Sequence, residues 1–88
     1  MKRKFELGNI VITSKVYSAI AKEDISRGLA RHMCCDWGEC ADPEMNDYAV
    51  ENNDGRILSV YRDHKGARFW IITEADRSAT TVLLPEDY

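Results

Sequence analysis

The chain lacks any apolar run approaching the ~20 residues that cross a bilayer; the longest near its start, Leu7 to Ile12, is broken by Gly8 and Asn9. Lys2, Arg3 and Lys4 imitate the basic start of a secretion signal, yet no apolar segment follows them, which predicts a cytosolic protein. Cysteine is scarce: Cys34, Cys35 and Cys40 are expected to be reduced thiols in that compartment. There is no Gly-rich phosphate loop, no metalloprotease helix and no nucleophile elbow, so neither a cofactor nor a catalytic residue is assigned. Most conspicuously, residues 34 to 55 contain no Lys or Arg at all, against seven acids.

That gap gives the modest net charge of −3 a segregated origin. Residues 1 to 33 carry seven Lys/Arg against three acids, and residues 56 to 88 carry five of each. The middle block, at −7, is either a solvated helix face or a surface that meets a basic partner through complementary potential.

Eighty-eight residues make one domain, residues 1–88, burying roughly 60 to 65 % of its unfolded-chain surface. Its organising stretch is Gly55 to Tyr88. Ile57 to Tyr61, Arg68 to Thr73 and Thr80 to Leu84 are rich in β-branched and aromatic residues, and turn formers bound each of them. They predict a three-stranded antiparallel meander, with Gly66 in the first turn and Pro85 ending the last strand. Phe69 and Ile71 point to one face, Trp70 and Ile72 to the other, so both faces need cover. Helices can supply one side. A lid of the chain's own, a second subunit or another partner supplies the second.

Upstream, Phe5 to Thr13 reads as a further strand able to pair at either edge of the meander. Thr13 or Ser14 caps a short helix over Lys15 to Lys22, with Val16, Tyr17 and Ile20 inward. Asp24 is positioned to cap the next helix, whose stripe Ile25, Leu29, Met33 repeats every four residues with Ala30 beside it. Asp42-Pro43 opens a third helix with Met45, Tyr48 and Ala49 inward, and Asn53-Asp54-Gly55 stops it. The order predicts an α+β fold: two or three short helices packed on an antiparallel sheet made of the C-terminal meander plus an N-terminal strand.

Several clusters invite chemistry. His32, Cys34, Cys35 and Cys40 are four soft ligands within nine residues, but adjacent cysteines fit one tetrahedral ion poorly, so no metal is assigned. Glu39 beside Cys40 disfavours a thiolate nucleophile. His64 lies in a hairpin turn, where a polar residue is unremarked; His32 ends a helix near Asp36, Trp37 and Glu39, which keeps it a candidate. Trp37, in a loop of small and acidic residues, either plugs the core or anchors a partner. Arg56, Arg62 and Arg68 with Tyr61 and Trp70 can face nucleic acid, although the neighbouring acidic block repels phosphate. Thr73, Glu74, Asp76, Arg77, Ser78, Thr80 and Thr81 form the densest polar cluster, readable as loop capping or as a recognition loop on a rigid sheet.

The segments ELGNIVIT, RHMCCDWGE and RILSVYRDHKGARFWIITEADRSATTVLLPEDY resemble a widespread family of small bacterial proteins described as plasmid-related and encoded on mobile elements. WIITEADRSATTVLLPEDY carries most of the resemblance, and Cys34-Cys35 departs from the small or polar residues of the family pattern. Some members bear the label of a type I restriction modification subunit; this chain lacks the room and the Gly-rich motif of a methyl-donor fold. The resemblance implies an accessory role on a mobile element, with counter-defence among the expectations.

Together these readings predict a macromolecule-binding protein rather than an enzyme. Its expected binding residues are Asp36, Trp37, Glu39, Asp42, Glu44, Asp47, Glu74, Asp76 and Arg77. The expected partner is a protein with a basic surface, with nucleic acid second, no membrane, and a homodimer as an accompanying arrangement. The competing expectation is a toxin-type ribonuclease using His32, Arg56, Tyr61 and Arg77 on a sheet floor.

Overall fold

A computed structural model describes residues 4–88, so Lys2 and Arg3 of the basic start lie outside the described residues. The elements run β1 (Asn9–Ile12), α1 (Ser14–Ala19), α2 (Lys22–Met33), α3 (Pro43–Asn52), β2 (Ile57–Arg62), β3 (Arg68–Thr73), β4 (Ala79–Leu83) and a closing 3₁₀ turn (Pro85–Asp87). They form an α+β fold with the helices on a four-stranded sheet of order β1-β4-β3-β2. The meander is antiparallel as expected. The N-terminal strand joins its β4 edge in parallel, with Ile10 opposite Thr80, which makes the sheet mixed. It is also shorter than Phe5 to Thr13: Gly8 takes a positive φ of 66° and ends the extended run on the N-terminal side.

Strand alternation sorts the side chains. One face sends Ser59, Tyr61, Phe69, Ile71, Thr73, Thr80 and Val82 under the helices, where Val16, Ile20 and Ile25 complete the main cluster. Gly28 lets α2 lie close, since a Cβ there would meet the Phe69 ring at 3.0 Å. A second cluster joins Trp37, Ala49 and Ile57, with Phe5 and Val50 beside it. The opposite sheet face is covered in part by the C-terminal segment: Ile72 and Leu83 are buried and Tyr88 packs on Trp70 at 5.5 Å, while Leu58, Val60 and Trp70 stay half-buried, Leu58 and Trp70 lining a groove of about 250 Å³. The second face therefore carries a partial lid of its own. Among the described residues no helix is long and apolar enough to cross a membrane.

Three helix faces differ from the sequence expectation. Tyr17 is 69 % exposed, because α1 has only six residues and Val16 and Ile20 alone reach the sheet. On α3, Met45 and Tyr48 point outward and Asn46 joins Ala49 inside. Asp24 does not cap α2, which begins at Lys22 after Ala21; it is a buried residue of the first turn, hydrogen-bonded to His64 and Arg27. Thr13 and Asp42 cap α1 and α3 by accepting from the amides of Val16 and Met45.

Candidate functional site

The acidic segment divides into two parts with different chemistry. Asp36 and Glu39, in the loop after α2, are neutralised. Arg31 grips Asp36 through two bonds of 2.8 and 3.1 Å, and Arg62 reaches Glu39 at 2.8 Å with Arg68 at 3.5 Å. These guanidiniums hold both carboxyls below their ordinary range: the Arg31 bond acts on Asp36 and the Arg62 bond on Glu39.

The second part is α3. Asp42 stops the preceding loop by capping, Pro43 fixes the first turn, and Asn53 closes the helix in the left-handed region at φ 50°. Glu44, Asp47 or Tyr48, and Glu51 recur at three- and four-residue spacing and are exposed along one side. Met45 and Tyr48 stand among them, 65 % and 57 % exposed, and no Lys or Arg belongs to the helix. An acidic face holding two large, unburied apolar groups results.

Trp37 is not part of that surface. It is 6 % exposed and donates its indole N–H to Asp47 at 2.9 Å, so the loop tryptophan plugs the core and fastens α3 from beneath. Its ring lies in an aromatic group with Phe5 and His32.

The third set, from the β3–β4 loop, serves the backbone. Arg77, at φ 62°, donates to the carbonyls of Gly55 at 2.7 Å and Ala49 at 2.9 Å, tying the loop to the end of α3. Asp76 accepts from the Ser78 hydroxyl and from Ser78 N–H, and these bonds, the hydroxyl's first, lower its pKa. Glu74 pairs with Arg56 at 3.6 Å. Asp76 and Arg77 line a groove of about 540 Å³ with Val50 and Asn53, so this pair borders the α3 end whereas Glu74 does not.

His32 lies near Asp36, Trp37 and Glu39 in sequence, but its hydrogen-bond partners are distant. Fully buried, it meets Ser59 Oγ at 2.6 Å through Nδ1 and Thr73 Oγ1 at 2.9 Å through Nε2. Thr73 meets Thr80 at 2.7 Å, and Thr80 donates to the Leu7 carbonyl at 2.7 Å. The proton order follows from counting. Thr80 has one hydrogen and gives it to a carbonyl, so Thr73 must donate to Thr80 and accept from His32 Nε2–H. Burial keeps the ring neutral, so Nδ1 accepts from the Ser59 hydroxyl. One neutral tautomer satisfies the chain, and burial accordingly pushes the His32 pKa down to about 4.

The residues of the ribonuclease expectation are each committed within the fold. His32 and Tyr61 are buried, Arg77 is committed to carbonyls, and Arg56 is engaged with Glu74 and Tyr88. The group with metal-type spacing among the described residues is Asp24, Asp63 and His64, with ligand atoms within 4.8 Å. Its carboxylates already serve His64 and Arg27 in one case and the amides of Lys65 and Ala67 in the other. Arg27, 3.1 Å from Asp24, places a positive charge beside the position a cation would take.

Sequence reasoning missed Asn46. Its side chain donates to the Leu58 carbonyl at 2.6 Å and accepts from Leu58 N–H at 3.0 Å, standing in for a neighbouring strand. The available signal was an amide residue at i−3 from Ala49 on a helix otherwise acidic outside. No family model, curated protein or solved structure matches the chain.

Proposed function

We propose that this chain is a small binding protein whose α3 outer face docks on a basic, normally phosphate-binding surface of another protein. The observation that carries the reading is the composition of that face: Glu44, Asp47 and Glu51 exposed together with Met45 and Tyr48, and no basic residue on the helix. Carboxylates speed and orient the encounter, while desolvation of methionine and tyrosine supplies short-range affinity. Met45 and Tyr48 take the anchoring role that sequence had offered to Trp37. In the mobile-element setting implied by the family resemblance, the partner is a restriction or CRISPR component in the cytosol, and the protein acts as an accessory or counter-defence factor.

The test is affinity capture of tagged protein from a bacterial lysate carrying such systems, with and without nuclease, compared with a Glu44→Lys, Tyr48→Ala, Glu51→Lys variant. These three positions form no bond that the fold needs, unlike Asp42 and Asp47. A stoichiometric protein partner that survives nuclease and is lost with the variant is expected. Capture that is unchanged in the variant would remove α3 from the reading. Binding should also weaken steeply with salt.

A further inference from the structure

The two edges of the sheet are treated differently. At β2 every outward backbone group in the centre of the strand has a partner. Asn46 takes both groups of Leu58, and the loop after α2 takes those of Val60, through Val60 N–H to the Trp37 carbonyl at 3.1 Å and Glu39 N–H to the Val60 carbonyl at 2.7 Å. Gly38 permits the approach, because a Cβ there would collide with the Val60 carbonyl. Among the described residues nothing comparable occurs at β1. Asn9 N–H and Thr13 N–H both turn inward to β4, to Ser78 and Val82, so strand alternation turns the N–H and C=O of Ile10 and Ile12 outward.

The side chains repeat the contrast. Ile10, Val11 and Ile12 are 44 %, 46 % and 40 % exposed, and Asn9–Ile12 holds no charge, proline or bulge of the kind that blunts a free edge. Beside them an apolar groove of about 260 Å³ runs between Ile12, Tyr17, Ile25 and Leu29. Tyr17, left outside the core, borders it.

We propose that β1 pairs with β1 of a second copy, antiparallel about a two-fold axis at Val11, to give a continuous eight-stranded sheet. The outward groups fix the register. Ile10 exchanges both backbone hydrogen bonds with the second copy's Ile12, Ile12 with its Ile10, and the two Val11 side chains meet as the close, non-hydrogen-bonded pair. All the isoleucines then share one face, and the two grooves meet across the seam. Charge does not oppose the contact: Asn9–Ile12 is uncharged, so a second copy meets no like charge along the strand, and Lys15 beyond its end is already paired with Asp87 at 3.3 Å. The contact uses neither α3 nor its proposed partner, so it stands or falls separately.

The experiment combines sedimentation equilibrium with amide hydrogen exchange on the full chain, on Val11→Lys, on Val11→Glu and on their mixture. The wild type is expected to be a dimer in which the Ile10 and Ile12 amides are protected. Each variant sets two like charges opposite one another and should raise the dimer dissociation constant about tenfold or more, exposing those amides. Mixing the two variants should restore the dimer. A wild-type monomer at every concentration overturns the proposal. So does a dimer whose Ile10 and Ile12 amides exchange freely, or one that neither variant weakens. Should the variants fail to fold, the wild-type exchange pattern decides alone.

Discussion

The β2 edge and the β1 edge belong to one sheet, yet among the described residues two separate devices serve the first and none the second. Asn46 and the Trp37–Glu39 loop, with Gly38 at its centre, close β2. Among the described residues β1 keeps an uncovered outer backbone and three exposed β-branched side chains. Edge closure is costly in sequence, since each device constrains a residue far away. An edge left open in a protein able to close the other is therefore informative: stability resides on the β2 side and availability on the β1 side.

The sharpest way to break that contrast is Asn46→Leu. It removes the partners of the part-buried Leu58 N–H and C=O together, and an orphaned group costs about 1–3 kcal/mol. We expect a loss of about 3 kcal/mol in urea unfolding, a large share of a small domain's stability. Asn46→Asp should be nearly as damaging, because a carboxylate still accepts from Leu58 N–H but meets its carbonyl with no donor. A cost below ~1 kcal/mol would mean that water closes this edge as well as asparagine does.

Next in size is the relay that links the two sides. It runs from Ser59 on β2 through His32, Thr73 and Thr80 to the Leu7 carbonyl just before β1. His32 is held near pKa 4 in the fold and titrates near 6.5 when unfolded, so between those values the unfolded chain binds more protons. Stability is therefore full above pH ~6.5 and falls by about 3 kcal/mol as pH drops toward 4. The depressed carboxyls of Asp24, Asp36 and Glu39 act lower: their contribution is present above the unfolded carboxylate range and is lost as pH falls through their folded values. His32→Gln should flatten the upper window and leave the lower one. A wild-type curve flat from pH 6.5 to 4.5 would refute the neutral tautomer. Thr73→Val, which leaves Nε2–H without an acceptor, should cost about 2 kcal/mol.

How much of this was legible in the sequence depended on whether the partners were local. The meander, the caps at Thr13 and Asp42 and the left-handed stop at Asn53 rest on residues within a few positions, and they fold as read. Inner faces of short helices were less legible. On α2, Ile25 is buried and Leu29 packs against the core as read, but the buried line continues through Gly28 and His32 rather than Met33, because a glycine and a histidine carry no hydrophobic signal. Met45 and Tyr48 looked like core by chemistry, whereas a polar Asn46 is what β2 requires. Asn46 to Leu58, His32 to Thr73 and Arg77 to Ala49 span 12 to 41 positions, and no periodicity encodes them. The acidic block was visible as a block; which acids are neutralised by arginine was not.

The smallest expected effect is the one that tests the open edge most cleanly. Val11→Lys touches a side chain that is already 46 % exposed and breaks no bond within the chain, so in a single copy it should change stability by no more than about 0.5 kcal/mol. Its visible consequence lies in concentration dependence. A fold that pairs through β1 gains apparent stability as protein concentration rises, because association draws the equilibrium toward the native state. The wild-type unfolding midpoint should therefore rise with concentration and the Val11→Lys midpoint should not, while Asn46→Leu lowers the midpoint but keeps the rise. If Val11→Lys instead costs as much as Asn46→Leu at every concentration, β1 is a structural edge like β2, and the difference between the two edges is one of appearance only.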